Sequence, residues 1–309
     1  MRFRFLKMNL SLVTVACLSL ILCGFANPGR AAEKPHDIRF WTTLKHNEFK
    51  LADGGSAGVL ALEATDFLSS TDPALRDGIA YEALAAWIYR DHLLRADELE
   101  LVRKKLVGQA QVGIAGGDAD QIFGRSFALL GLSVLAAQDL RQPFLSPAAL
   151  NELLDLGLGA LARERDLRGF VASKGWLHIT AHSADLLKFL ARNPKTTPAQ
   201  NTLIVEGVAE RLRTAGIVFV WGEDARLAAA LRAVAERSDA DPAPFSAWCE
   251  RLKVDAQAVW GNEFDVTRYV ALRGQLNTLA QLAAILPTDA PPKVAQIRGA
   301  IVDALTKAG

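Results

Sequence analysis

Most of the chain after residue 37 carries apolar residues three or four positions apart, which is the period of one face of an α-helix. Short polar loops separate these segments. The pattern predicts about a dozen helices in an all-α fold. Besides three helices that share a start signal and one expected from Trp176, the predicted helices span 37–50, 59–68, 97–112, 120–137, 223–236, 243–260, 265–286 and 292–307.

Three further helices share one start signal, which is an Asp, Ser or Thr followed directly by Pro. The pairs are Asp72-Pro73, Ser146-Pro147 and Thr197-Pro198. Repeated caps between helices predict irregular antiparallel hairpins that curve into a HEAT-like superhelix. No linker divides the chain, so we expect a single domain over residues 37–309. The strand-like run 217–221 is isolated, and we expect it to be an extended connector.

The first 26 residues have the features of a secretory signal peptide, because basic residues precede an apolar run from Leu10 to Leu22 and then small residues. The apolar run is shorter than the roughly 20 residues that a transmembrane helix needs. We expect cleavage near residue 26, or as late as residue 31. The mature protein is expected in the periplasm or outside the cell, with no membrane span after signal cleavage.

Removal of residues 1–26 changes the charge and the cysteine content of the chain. The whole chain has 35 basic and 34 acidic residues, and the lost segment carries three basic and no acidic residues, which leaves a net charge of −2. This balance predicts no nucleic-acid partner. Cys249 is then the one remaining cysteine, so an intramolecular disulfide is excluded, and we expect a buried, inert thiol.

Residues whose side chains could bind a ligand or take part in catalysis are concentrated between Glu164 and Leu190. This segment contains two of the five histidines. We expect its helix to begin at Trp176, so that His178, His182 and Asp185 lie on one stripe. Three interpretations remain open. The stripe is a polar seam whose imidazoles donate to carboxylates or carbonyls, a ligand-binding or catalytic site without metal, or a three-ligand zinc site.

Two acidic clusters accompany this stripe. Glu164 and Asp166 lie near Arg168, and a second cluster contains Glu223, Asp224 and Arg226. Each cluster either fixes a loop or helix end or supplies a catalytic carboxylate. Arg125 interrupts an apolar helix, so we expect it to be buried and paired with one of these carboxylates. Trp176 and Trp221 either stack on a ligand or belong to the core.

Four residue strings, at 123–127, 164–171, 174–187 and 222–227, contain these residues in order. They resemble the bacterial family named domain of unknown function 2785, over roughly residues 62–234. Ser183 departs from the family pattern, where glycine is usual. Members of this family have no established activity. The resemblance implies that the following residues belong to one shared feature: Arg125, Glu164, Asp166, Arg168, Trp176, His178, His182, Asp185, Glu223, Asp224 and Arg226.

The function expected from these observations is a binding or scaffold module whose concave face presents the polar cluster to a peptide, a glycan or a small-molecule ligand. The alternative is a hydrolase that acts on a glycan or a peptide through paired carboxylates or through a metal held by His178, His182 and Asp185. The sequence identifies no cofactor and no oligomeric state.

Overall fold

The computed structural model of the chain describes residues 35–52, 55–114, 116–261 and 263–309. These ranges contain twelve helices and one small two-stranded sheet, which confirms the all-α fold class. Residues 37–309 form one compact unit. The predicted signal peptide at 1–26 lies outside the described residues. Among the described helices, none is both long and apolar enough to cross a lipid bilayer.

The helices follow the order of the sequence pattern. They are α1 (Ile38–His46), α2 (Ala57–Phe67), α3 (73–90), α4 (Ala96–Gln111), α5 (Gln121–Asp139), α6 (Pro147–Arg163), α7 (Ile179–Arg192), α8 (Pro198–Thr214), α9 (Glu223–Ala235), α10 (Ala243–Val259), α11 (Val266–Ile285) and α12 (Pro292–Ala308). The sheet is a hairpin of β1 (Phe170–Val171) and β2 (Gly175–Trp176).

The three predicted helix starts are confirmed. The side chains of Asp72, Ser146 and Thr197 each accept a hydrogen bond from a backbone N–H in the first turn of the helix that follows, and a proline occupies the first position of each helix. Helix α3 is irregular, because two stretches, Arg76–Tyr81 and Ala85–Arg90, have π-helical geometry. Such wide turns are frequent at functional sites.

Two predictions about local structure are wrong. The helix expected from Trp176 begins at Ile179, and the residues before it form the β-hairpin. The first helix, expected over 37–50, ends at His46, and the backbone is left-handed soon afterwards at Glu48 and Phe49. The run 217–221 lies outside every helix and strand, as expected for a connector.

The helices pack in two rows. In one row α3, α5, α7, α9 and α11 lie side by side in that order, and in the other row α2, α4, α6, α8 and α10 do the same. Each helix of the second row also packs against the helix that follows it in the chain. This is the packing of stacked helical hairpins. The HEAT-like superhelical curvature stays a prediction.

Helix α7 lies at the centre of the first row, between α5 and α9, and α6 covers it from the second row. Its apolar face is completely buried, with Ile179, Leu186 and Leu190 at most 2% exposed. The polar residues of the same helix therefore have fixed positions relative to α5 and α9.

Candidate functional site

The candidate site lies where the hairpin, the start of α7 and the start of α9 meet. His178 is the residue before α7, and its backbone is left-handed, with φ of 45°. Its carbonyl still accepts the His182 N–H at 2.9 Å, so the two residues sit one turn apart. The two imidazole rings are 5.9 Å apart, in an edge-to-face arrangement. The predicted proximity is therefore present, although His178 is not helical.

The imidazole of His178 is held from three sides. Its Nε2 lies 2.9 Å from the Trp221 carbonyl oxygen, which can only accept, so Nε2 carries the proton. The Glu223 carboxylate is 3.8 Å from the same nitrogen, and the ring of Trp176 stacks on the imidazole at 4.5 Å. Burial lowers the pKa of His178, and the charge of Glu223 opposes this shift.

His182 lies deeper, against helix α5. Its Nδ1 is 3.1 Å from the Ser126 carbonyl oxygen and 2.8 Å from the Ser126 hydroxyl, which itself donates to the Leu177 carbonyl. Both Ser126 oxygens accept, so Nδ1 carries the proton. Burial, reinforced by the neighbouring His178, lowers the pKa of His182 to about 3. Both imidazoles are therefore neutral at pH 7, and both donate to backbone carbonyls, as the polar-seam interpretation predicts.

The loop before α9 is held by Glu223, the first residue of that helix. The buried carboxylate of Glu223 accepts the backbone N–H of Trp221 at 2.9 Å, while Gly222 between them has a φ of 91°. The Trp221 indole lies directly over Gly169, where an added Cβ would come within 2.3 Å of the ring. Gly169 also accepts the Leu177 N–H. This close crossing of two loops requires glycine at position 169.

A second charged pair joins α7 to α9. Asp185 is 3% exposed and forms ion pairs with Arg226 and, at 3.1 Å, with Lys188. Burial, and then the charge of Asp185, raise the pKa of the Tyr81 phenol on helix α3. This side chain is therefore within electrostatic reach of the pair. The same two charged groups also influence the pKa of His178. The ion pair and the histidines therefore share one region.

Three aromatic side chains beside the histidines are exposed. The exposed fractions are 40% for Phe170, 39% for Trp176 and 47% for Trp221. Their ring centroids are 5.0 to 6.1 Å apart, so the rings form one continuous surface, which we call the aromatic face. Neither tryptophan is buried in the core, and whether their rings stack on a ligand stays a prediction.

The first acidic cluster has a structural role. Arg125 and Glu164 are both buried, and their side chains form an ion pair at 2.8 Å, which confirms the predicted pairing of Arg125. The other carboxylate oxygen of Glu164 accepts the backbone N–H groups of Arg165 and Asp166. Asp166 forms an ion pair with the neighbouring Arg168. These bonds fix the loop that leads from α6 to the hairpin.

Arg76 is an important residue that the sequence interpretation missed. It is fully buried between the rings of Phe123 and Phe127 and donates to the carbonyl oxygen of Lys174 at 2.8 Å. Arg76 therefore anchors the tip of the hairpin to α3 and α5. The sequence did carry a signal for this residue, because Arg76 directly follows Leu75, which belongs to an apolar stripe that faces the core.

Ten of the eleven candidate residues thus separate into two groups. Ring contacts, ion pairs and electrostatic interactions join six of them at the aromatic face: Trp176, His178, His182, Asp185, Glu223 and Arg226. Arg125, Glu164, Asp166 and Arg168 form the loop-fixing group. The groups are linked through α5, because Arg125 belongs to one and the adjacent Ser126 contacts the other. Within the described residues, Asp224 is joined to neither group by a hydrogen bond or ion pair; its carboxylate accepts the Ala225 N–H.

The geometry does not assemble the zinc site that the sequence left open. In the described part of the chain, no three His, Cys, Asp or Glu side chains are grouped so that they could hold a metal ion. Both oxygens of Asp185 face cations instead of the two imidazoles. Cys249 is buried and unpaired, and burial raises the pKa of its thiol to about 11, which agrees with an inert role.

The fold and the site define an all-helical protein with stacked helix pairs and an aromatic face beside two neutral histidines. The chain belongs to the family described as "Protein of unknown function (DUF2785)", whose family model matches residues 111–282. The matched region begins at residue 111 instead of near residue 62. It contains both groups and continues through most of α11, beyond residue 234, where the resemblance was expected to end. Comparisons with curated proteins and with solved structures gave no significant match.

Proposed function

We propose that this chain is an exported binding protein whose aromatic face, formed by Phe170, Trp176 and Trp221, takes a glycan. The observation that carries the proposal is the exposure of these three adjoining rings, each at least 39% accessible. A contiguous exposed apolar surface with a polar border commonly marks a ligand-binding site. Tryptophan is well suited to this role, because it offers a large rigid surface at a low entropic cost.

The polar groups at the border favour a sugar over a purely apolar ligand. Arg226 is half exposed even though it pairs with Asp185, so its guanidinium can also reach a ligand. Its charge contributes to lowering the pKa of His178, whose imidazole stacks on Trp176. A pyranose ring has one apolar side for the indole and a rim of hydroxyls for such polar neighbours.

The aromatic face is also held in position before a ligand arrives. Trp221 is fixed by the bond from its backbone to Glu223 and by its contact with Gly169. Trp176 is fixed by the hairpin and by stacking on His178. Rigid binding groups lose little conformational freedom on association, so this support favours affinity.

The hydrolase alternative has weaker support. Glu164, Asp185 and Glu223 are each at most 4% exposed, and each carboxylate is already engaged with a cation or with backbone N–H groups. A catalytic carboxylate has to come within hydrogen-bond distance of the reacting group. These carboxylates stabilise the loops and helices instead.

Two tryptophan substitutions test the proposal directly. Tetrasaccharides of glucose and of N-acetylglucosamine serve as probes in calorimetric titrations of the wild-type protein, Trp176→Ala and Trp221→Ala. We expect at least one probe to bind, with about a tenfold or greater loss of affinity in each variant. The control is Trp260→Ala, because Trp260 is 63% exposed but packs with Phe264 and Tyr269 in another cluster. An equal loss in the control would contradict the proposal.

Export is the second part of the proposal and depends on the signal-like features of residues 1–26. N-terminal sequencing of protein recovered from the native host should find a chain that starts at Asn27 or, for the later site, at Ala32. Intact Met1 on the bulk of the protein inside the cell would contradict export.

A further inference from the structure

An arginine-lined pocket lies at the C-terminal end of α6, apart from the residues of the aromatic face. Its volume is about 440 Å³, and its lining includes Arg163, Arg165 and Arg211 together with Glu164, Leu167 and Thr214. Three of these side chains carry a positive charge and one carries a negative charge. The pocket is therefore a local concentration of cations in a protein whose whole chain is almost neutral.

Arg211 is the buried member of this set, with 5% of its surface exposed. Its Nη2 donates to the carbonyl oxygen of Glu164 at 3.0 Å and contacts that of Ala160 at 3.5 Å. Its Nε is buried and has no hydrogen-bond partner. Among the described residues, no carboxylate forms an ion pair with Arg211. A buried guanidinium without an anion is costly, because desolvation is not offset by a partner charge.

The one carboxylate of the pocket does not neutralise it. Both oxygens of Glu164 are engaged, one by Arg125 and the other by backbone N–H groups of the loop. Arg163 and Arg165 also lack an ion pair within the described ranges, and both are exposed at the pocket. Burial lowers the pKa of Arg211, and the charge of Glu164 only partly opposes this shift.

A second basic pocket provides a useful contrast. It lies between the C-terminal halves of α7 and α9 and is lined by Lys188, Arg192, Arg232 and Arg237. Three of these four cations already form ion pairs with acidic side chains. Charge compensation is therefore largely complete in that pocket, whereas it is missing around Arg211.

We propose that the pocket lined by Arg163, Arg165 and Arg211 is a binding site for a small anion that carries a phosphate or a carboxylate group. The planar guanidinium groups match the oxygen geometry of both anions and can donate two bonds to one group. The bound anion supplies the charge that Arg211 lacks. This inference is independent of the proposed glycan site, since the two sites share no residue.

The experiment compares two probe anions, inorganic phosphate and citrate, with sodium chloride added to keep the ionic strength constant. The thermal midpoint of unfolding is measured against anion concentration. Selective binding raises the midpoint progressively with concentration, whereas a general salt effect is the same for chloride. The stronger response of the two identifies the preferred group, and the absence of any response to both at millimolar concentrations would overturn the proposal.

The decisive variant is the double substitution Arg163→Gln/Arg165→Gln. Both side chains are exposed, so the protein should fold normally while its affinity for the anion falls by about tenfold or more. Arg213→Gln is the matched control, because Arg213 pairs with Glu210 and does not line this pocket. If the double variant responds to the anions as the wild type does, Arg211 only caps the carbonyls at the end of α6 and the proposed site does not exist.

Discussion

Substitution of His182 by asparagine tests whether this imidazole is buried as a neutral hydrogen-bond donor. The side chain is 6% exposed, and its Nδ1–H faces the two acceptor oxygens of Ser126. Asparagine places an N–H donor near the position of Nδ1 but cannot take up a proton in the accessible pH range. The variant should therefore keep the hydrogen bond and lose the part of the pH dependence of folding stability that His182 causes.

The sign of the effect follows from the lowered pKa. The pKa of His182 is about 3 in the folded protein, against 6.5 for an ordinary histidine. Between these values the unfolded chain binds the proton more readily, so stability is full at pH 7 and is lost as the pH falls through 6.5 towards 3. At pH 5 the proton on the unfolded chain favours unfolding by about 2 kcal/mol, at roughly 1.4 kcal/mol for each pH unit below 6.5.

Urea unfolding at pH 7, 6 and 5 measures this difference for the wild type, His182→Asn and the control His46→Asn. We expect the wild type and the control, whose replaced histidine is exposed, to lose about 2 kcal/mol more between pH 7 and pH 5 than His182→Asn. At pH 7 the variant should cost about 1 to 2 kcal/mol, because its smaller side chain loses contact with Phe127. Equal pH slopes in all three proteins would refute the buried, neutral state of His182.

Three other substitutions probe the supports of the site. Glu164→Ala leaves Arg125 buried without a carboxylate and should lower the free energy of unfolding by about 3 to 5 kcal/mol in urea titrations, so a change near zero would contradict the ion pair. Gly169→Ala introduces a Cβ against the indole of Trp221 and should alter its fluorescence and weaken glycan binding while the core stays folded; an unchanged spectrum would contradict this contact. Arg76→Met removes the donor to the hairpin backbone, and we expect amide hydrogen exchange in the hairpin to accelerate about tenfold while the α9 amides serve as the internal control.

The helical fold was predictable because its signals are local. Each apolar stripe lies within one helix, and the three caps that precede a proline depend on atoms only two or three residues away. The same reasoning located most helix ends within about two residues. Curvature of the helix rows depends on many small packing angles between distant residues, and no short sequence pattern determines it.

The hairpin was missed for two physical reasons. Its strands have two residues each, which is too short to show the alternation that indicates a strand. Its position also depends on the bond from Arg76 to the carbonyl of Lys174, 98 residues further along the chain. The glycine at position 175, whose backbone is left-handed in the structure, was a local sign of a turn in the sequence, but it did not identify a sheet.

The site was predicted in part. A buried arginine in an apolar helix has to find an acceptor, so the pairing of Arg125 with a nearby acidic cluster followed from electrostatics. The division of the candidates into a loop-fixing group and a group beside the aromatic face could not be foreseen. It depends on which sides of α5 the adjacent Arg125 and Ser126 face, and that is set by the packing of α6 and α7.

The most direct test of the proposed function is fluorine NMR of protein labelled with 5-fluorotryptophan. The chain has six tryptophans, of which Trp41, Trp87 and Trp248 are buried and Trp260 is exposed in another cluster. Titration with the glucose and N-acetylglucosamine tetrasaccharides should shift the signals of Trp176 and Trp221 and leave the other four unchanged. Shifts confined to Trp260, or no shift at saturating concentrations of either probe, would contradict a glycan site at the aromatic face.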